Sequence, residues 1–350
     1  MSFVVTAGAD DDGRRLDRII RKAFPRLPLS AIHRLFRKKG VFVDEKPAGP
    51  AFRVAAGSAI RLEADSRGSG PAGTPAHGGG PNRIAATPEA DRNLTPAPPE
   101  EAGEPEPEIL LEKGGLLFLN KPVGIPVHGA GSLDTWVQGR FVPKLPPSLS
   151  FRPGPLHRLD KPASGVIVFS LSLPGARYFS ALLREGRIGK RYLALVDGVI
   201  KKPESWEDDL VRDGAEKKTY VLSPGDRRRG AAGPAKTART RVCPLAVHPR
   251  YTLVLLEIDT GRTHQIRAQA GHHGHPLAGD GKYGGSPQAG GLLLHARSLT
   301  LPRLCPEEGQ PAYPEEGGTE TIDAPIPPAF RRRIRELFTA EQLKTAGFSF

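Results

Sequence analysis

At 350 residues, with 38% hydrophobic and 25% charged content, the chain is long enough for two domains and apolar enough to bury a core in at least one. Its formal net charge of +12 points to a polyanionic partner, and nucleic acid is favoured over a membrane because no apolar stretch reaches the roughly 18 residues that a span requires. The opening MSFVVTAGADDDG is acidic where a signal peptide is basic, and Cys243 and Cys305 make neither a disulfide framework nor a metal-ligand spacing, as expected in a reducing cytoplasm.

The charge is concentrated near the N-terminus, where Arg14 to Leu62 holds 13 Lys/Arg against 3 Asp/Glu. There, RRLDRIIRKAFP spaces Leu16, Ile19, Ile20 and Phe24 for a helix stopped by Pro25. LSAIHRLFRKKG predicts a second helix from an N-cap at Ser30 to a C-cap at Gly40, with Ile32, Leu35 and Phe36 on one face. Its other face carries His33, Arg34, Arg37, Lys38 and Lys39, a basic surface suited to RNA or DNA. Short strands at VFVD and FRVAAGSAIRL complete a small α/β domain over residues 1–65. Residues 66–107 contain 9 prolines and 7 glycines with almost no apolar periodicity, the composition of a flexible tether. From 108 to 350 strands outnumber helices: two strand pieces in ILLEKGGLLFLNK, a helix then a strand in PGARYFSALLREGRIGKRYLALVDG, a hairpin turning near Pro249, a helix in RTHQIRAQAGHHG, a strand at LLLHARSLTL and a basic helix at PPAFRRRIRELF. That pattern predicts an α+β domain on a mixed, mostly antiparallel sheet.

Three stretches carry candidate chemistry. HRLDKPASG, His157 to Gly165, sets Asp160 between Arg158 and Lys161 at a turn before an apolar run; it reads as a reactive carboxylate held ionised by its neighbours, or as a surface ion pair. KRYLALVDG places Tyr192 at the start of a strand, where a half-buried aromatic is the ordinary explanation. TGRTHQIRAQ sets Arg262, His264, Gln265 and Arg267 at a helix start. His264, His272, His273 and His275 have no Cys or carboxylate at ligand spacing, so no metal is expected. HRLD is not a kinase catalytic loop, since the aspartate falls one place late and no glycine-rich phosphate loop precedes it.

In this order, and joined by NKPVGIPVHG at Asn120 to Gly129 and by the continuation to GDGKYG at Gly284, the stretches resemble the RluA-type pseudouridine synthase family, over about Ile109 to Pro302. The basic N-terminal segment resembles the S-four-type RNA-binding domain of that family's large-subunit rRNA members. The resemblance implies isomerisation of uridine to pseudouridine with no cofactor, on 23S rRNA by preference and on tRNA as the alternative. It implies Asp160 as the essential carboxylate acting at the sugar, Arg267 as its cationic partner, and Tyr192 as the tyrosine that stacks on uracil, placed as a general base in some mechanisms. It also implies that Arg158 fills the space left by a flipped base, with a phosphate contact as the competing role, and places His157, Arg262, His264 and Gln265 with it at the RNA, beside Arg34, Arg37, Lys38 and Lys39. One departure is the run Pro162, Ala163, Ser164, Gly165, where the family usually has Thr before Ser-Gly. A non-catalytic rRNA assembly factor predicts loss of Asp160, Tyr192 or Arg267, all of which are present, and an N-glycosidase calls for a second carboxylate or a metal-bound water. Nothing indicates an obligate protein partner, and a monomer is the default.

Overall fold

The computed structural model describes residues 2–63, 106–222, 233–304 and 314–348. Nearly all of the expected tether at 66–107 lies outside them, as does Cys305. The chain forms two compact units, Met1–Glu106 with Gln138–Pro153, and Pro107–Val137 with Gly154–Phe350.

In the smaller unit an antiparallel sheet runs in the order Ser2–Thr6, Ala59–Glu63, Val41–Val43, Lys46–Pro47. Helices Leu16–Ala23 and Leu29–Arg37 bury Leu16, Ile19, Ile20 and Ile32 in one core with Val5, Val41, Val43 and Ile60. Both ends of the second helix differ from expectation. Pro28, not Ser30, is the N-cap, and its fixed φ of −66° leads the chain straight into the first turn. At the other end Lys39 takes the left-handed position at φ 53°, and the amides of Lys39 and Gly40 return to the carbonyls of Phe36 and Leu35, a Schellman ending. Gly40 follows one place later, where a Cβ would come within a tight 3.1 Å of the carbonyl oxygen of Glu63.

The segment Gln138–Pro153, expected within the second domain, packs with this unit instead. Leu149 joins its core, and the fully buried Asp11 accepts hydrogen bonds from the amides of Gly8 and Leu149, both at 2.9 Å, and from the Ser150 hydroxyl. A buried carboxylate must satisfy its oxygens from the protein, and this loop supplies the donors.

The larger unit is an α+β domain on an eleven-stranded sheet. At its centre Gly189–Asp197 lies between Tyr251–Ile258 and Leu294–Leu304, antiparallel to both. Leu294–Leu304 then meets Ser164–Ser170 in the one parallel pairing among the described strands, and Leu116–Lys121 and Glu108–Lys113 follow. The parallel pairing brings backbones so close that a Cβ on Gly165, at φ +110°, would stand 2.2 Å from the Ala296 carbonyl oxygen, so glycine is required. Side chains alternate along the central strand: Leu193 and Leu195 join the core of helix Pro328–Leu337 through Phe330 and Ile334, while Tyr192 falls on the other face. Strands Glu204–Asp213 and Lys218–Val221 form a hairpin beyond Lys236–His248. Its turn begins at Asp213, whose carboxylate accepts the amides of Ala215 and Glu216.

Candidate active site

Asp160 sits in the turn between the short strand Gly154–Pro155 and Ser164–Ser170. Several contacts fix that turn. The Asp160 carbonyl accepts the Ala163 amide at 3.0 Å, and the Ser164 hydroxyl meets Nδ1 of the buried His295 at 2.9 Å. The Lys121 ammonium, with no exposed surface, donates to the carbonyls of Pro122 and Lys161 at 2.8 and 3.1 Å. Burial pushes this lysine down to about 8 against the pull of Asp160.

Helix Gln265–His272 brings Arg267 across to the aspartate. One guanidinium nitrogen, Nη1, donates to Asp160 Oδ2 at 3.0 Å. The other edge is taken by Asp280, with Nε to Oδ2 at 2.7 Å and Nη2 to Oδ1 at 2.8 Å. Burial opposes the charge of Arg267, yet these two carboxylates raise its pKa above the ordinary arginine value. Asp280 is 2% exposed and makes a fork that fixes the plane of the guanidinium, so that Asp160 is met by Nη1 alone.

Tyr192 enters from the central strand, where a register shift against Leu294–Leu304 falls between Arg191 and Tyr192 and re-aims the side chain. The ring is 8% exposed; burial, and after it the charge of Asp160, push the phenol upward, so it is a neutral donor and stacking surface across the working pH range. Asp160, Tyr192 and Arg267 line one open cleft together with Arg158, Arg262 and His264. Arg158 is exposed at its rim, and Arg262 is exposed with Nε donating to the Thr237 carbonyl at 3.2 Å. His264, in the left-handed region at φ 54°, brings Nε2 to 3.8 Å from Asp160 and Nδ1 to 2.9 Å from the Tyr283 hydroxyl.

Two expected RNA contacts are turned elsewhere. His157 points into the protein, with Nε2 accepting the Val168 amide at 3.1 Å and the ring stacked near Phe179, and burial pushes it down to about 4. Gln265, 3% exposed, spends its amide on Thr260, Arg239, Thr240 and the Arg262 amide, which shapes the helix start. Arg34, Arg37, Lys38 and Lys39 are exposed on the smaller unit. The sequence reading missed Asp280, Tyr283 and Lys121, although each lies inside a quoted motif; a lone carboxylate between Gly279 and Gly281 was the available signal.

Chemically, the cleft presents one carboxylate hydrogen-bonded by a guanidinium, an aromatic face that carries a neutral hydroxyl, and further cations at the rim. Among the described residues no cluster of three or more His, Cys, Asp or Glu could hold a metal ion, and no helix is long and apolar enough to cross a membrane.

This combination of sheet and cleft defines a pseudouridine synthase fold. The human RNA pseudouridylate synthase domain containing proteins 4 and 1 share it, each with a TM-score of 0.51 over 69% of this chain and 94% of theirs, at 21% and 23% identity. The RNA pseudouridylate synthase family matches residues 115–272. Over nearly the full length, the chain is 30% identical to the ribosomal large subunit pseudouridine synthases C of Salmonella typhimurium (97% of each chain) and of Escherichia coli strain K12 (96% of this chain, 97% of the relative). The chain belongs to the RluA-type pseudouridine synthases, and is an isomerase.

Proposed function

We propose that this enzyme isomerises uridines of large-subunit 23S rRNA, with Asp160 as the reacting carboxylate, Arg267 as its positioning partner and Tyr192 as the surface that holds the detached base. The observation that carries this reading is the 3.0 Å hydrogen bond from Arg267 to Asp160 in a cleft floored by Tyr192. Pseudouridine formation breaks the N1–C1′ bond, turns the uracil, joins C5 to C1′, moves the C5 hydrogen to solvent and leaves a proton on N1. Asp160 acts at the sugar while the bond is broken, and Arg267 supports its negative charge. The aromatic face of Tyr192 keeps the free uracil within reach of C1′, since a base lost to solvent ends the reaction as hydrolysis. Asp280 is buried against Arg267 and does not line the cleft, so among the described residues Asp160 is the one carboxylate that does, and none beside it is placed to activate water.

A uridine in folded RNA must leave its stack to reach Asp160, at a cost of a few kcal/mol, and Arg158 at the rim is suited to occupy the space it leaves. Support for a large structured RNA comes from the names of the bacterial relatives and from the exposed Arg34, Arg37 and Lys39 on the smaller unit. The test is tritium release from C5-labelled 23S rRNA transcript and bulk tRNA in parallel, with Asp160→Ala as control. Release from rRNA that vanishes in the variant is expected. Release from tRNA alone overturns the substrate, and release that persists in Asp160→Ala overturns the assignment of the carboxylate.

A further inference from the structure

Tyr283 touches both partners of Asp160. Its ring faces the Arg267 guanidinium at 5.1 Å, and its hydroxyl lies 2.9 Å from Nδ1 of His264. That hydroxyl also accepts the backbone amide of Thr219 at 2.9 Å, from the strand Lys218–Val221. Since the amide can only donate, the single phenolic hydrogen is free for His264. Nδ1 is then an acceptor and the ring proton lies on Nε2, the nitrogen that faces Asp160 at 3.8 Å. The reverse tautomer would aim a lone pair at a carboxylate and leave the phenolic hydrogen without a partner.

We propose that Tyr283 is a positioning residue of the isomerase: by donating to Nδ1 it keeps His264 neutral and turns an N–H, not a lone pair or a second full charge, toward Asp160. The inference rests on Asp160 being the reacting carboxylate. At 3.8 Å the Nε2–H makes no hydrogen bond to Asp160, which leaves it available to the carboxylate or to a nucleotide bound in the cleft. An imidazolium there would compete with Arg267 for the same oxygen, because both approach Oδ2.

The surroundings favour the neutral ring. His264 faces Asp160 from the loop, Arg267 on its own helix, Lys282 beside Tyr283, and Arg212 from the strand Glu204–Asp213, which pairs with Thr219 across the hairpin. Burial and the three cations lower its pKa while Asp160 opposes them. Its side chain is 15% exposed, and its backbone holds the left-handed conformation that L-residues rarely adopt.

Tyr283→Phe keeps the ring against Arg267 and deletes the hydroxyl alone. The expected result is about a tenfold fall in kcat for tritium release at neutral pH, KM within about twofold of the parent, and an acid limb of kcat displaced to higher pH, because an imidazole without a donor on Nδ1 protonates more readily. His264→Gln cannot titrate, so it should lose that limb, and adding Tyr283→Phe to it should change kcat no further. A parental pH profile in Tyr283→Phe, or a further tenfold loss in the double variant, overturns the proposal. Imidazole 15N shifts give a reading independent of turnover: they should report the Nε2–H tautomer in the parent and a mixture in Tyr283→Phe. An Nδ1–H tautomer in the parent refutes the positioning role even where activity agrees, whereas activity that survives Asp160→Ala refutes only the catalytic reading beneath it.

Discussion

Replacing Asp280 by asparagine removes a charge and keeps the shape. In the parent, Arg267 gives Asp280 two hydrogen bonds at 2.7 and 2.8 Å, from side chains 8% and 1% exposed. An asparagine can accept only one of them, and its NH2 then opposes a guanidinium N–H. Charge-assisted hydrogen bonds contribute about 1.5–3 kcal/mol each, and unbalancing a buried ion pair costs about 3–5 kcal/mol, so a loss near 3 kcal/mol is expected. For a unit of this size that is roughly 6–12 °C in Tm. The guanidinium, without its fork, can swing toward Asp160 and offer it two nitrogens in place of one, and kcat for tritium release should fall about 10- to 100-fold. Thermal melts and single-turnover kinetics on Asp280→Asn, Arg267→Met and the double variant form a cycle, with a coupling of at least about 1 kcal/mol expected between groups in direct contact. Full kcat with an unshifted Tm in Asp280→Asn, or additive losses in the double variant, would refute the view that Asp280 braces the catalytic pair.

His295 has no exposed surface, and burial pushes it down to about 4 from 6.5. The unfolded chain therefore binds more protons between those values, so stability is full above about pH 6.5 and falls as pH drops toward 4, by about 2 kcal/mol at pH 5; denaturant unfolding at pH 7 and 5 should show it, and His295→Gln should flatten the slope. Tyr192→Phe should lower kcat yet leave the shape of the pH profile below pH 10 unchanged, because the parent phenol is already neutral there; loss of an alkaline limb would contradict this. Asp11→Ala should weaken the smaller unit by about 2 kcal/mol, from the donors left unpaired on Leu149 and Ser150, and limited proteolysis should then cut within Gln138–Pro153; an uncut segment would argue against it.

The sequence by itself determined what local chemistry can specify. Helical spacing at Leu16, Ile19 and Ile20 and strand patterning around Tyr192 predicted elements that the structure contains, because the burial of one face depends on period alone. The ordered motifs named Asp160, Tyr192 and Arg267, and the structure gathers them in one cleft. What tertiary structure decided is how each polar group is used, since hydrogen-bond partners come from chain far away. Arg267 reaches Asp160 across 107 positions, and only that approach reveals that Asp280 holds its other edge. His157 and Gln265 belong to the same motifs as Asp160 and Arg267, yet the fold spends their nitrogens and oxygens on Val168 and on the helix start. Gln138–Pro153 has no composition that marks it out, and it joins the smaller unit because a buried carboxylate at Asp11 needs donors that only the folded chain can bring to it.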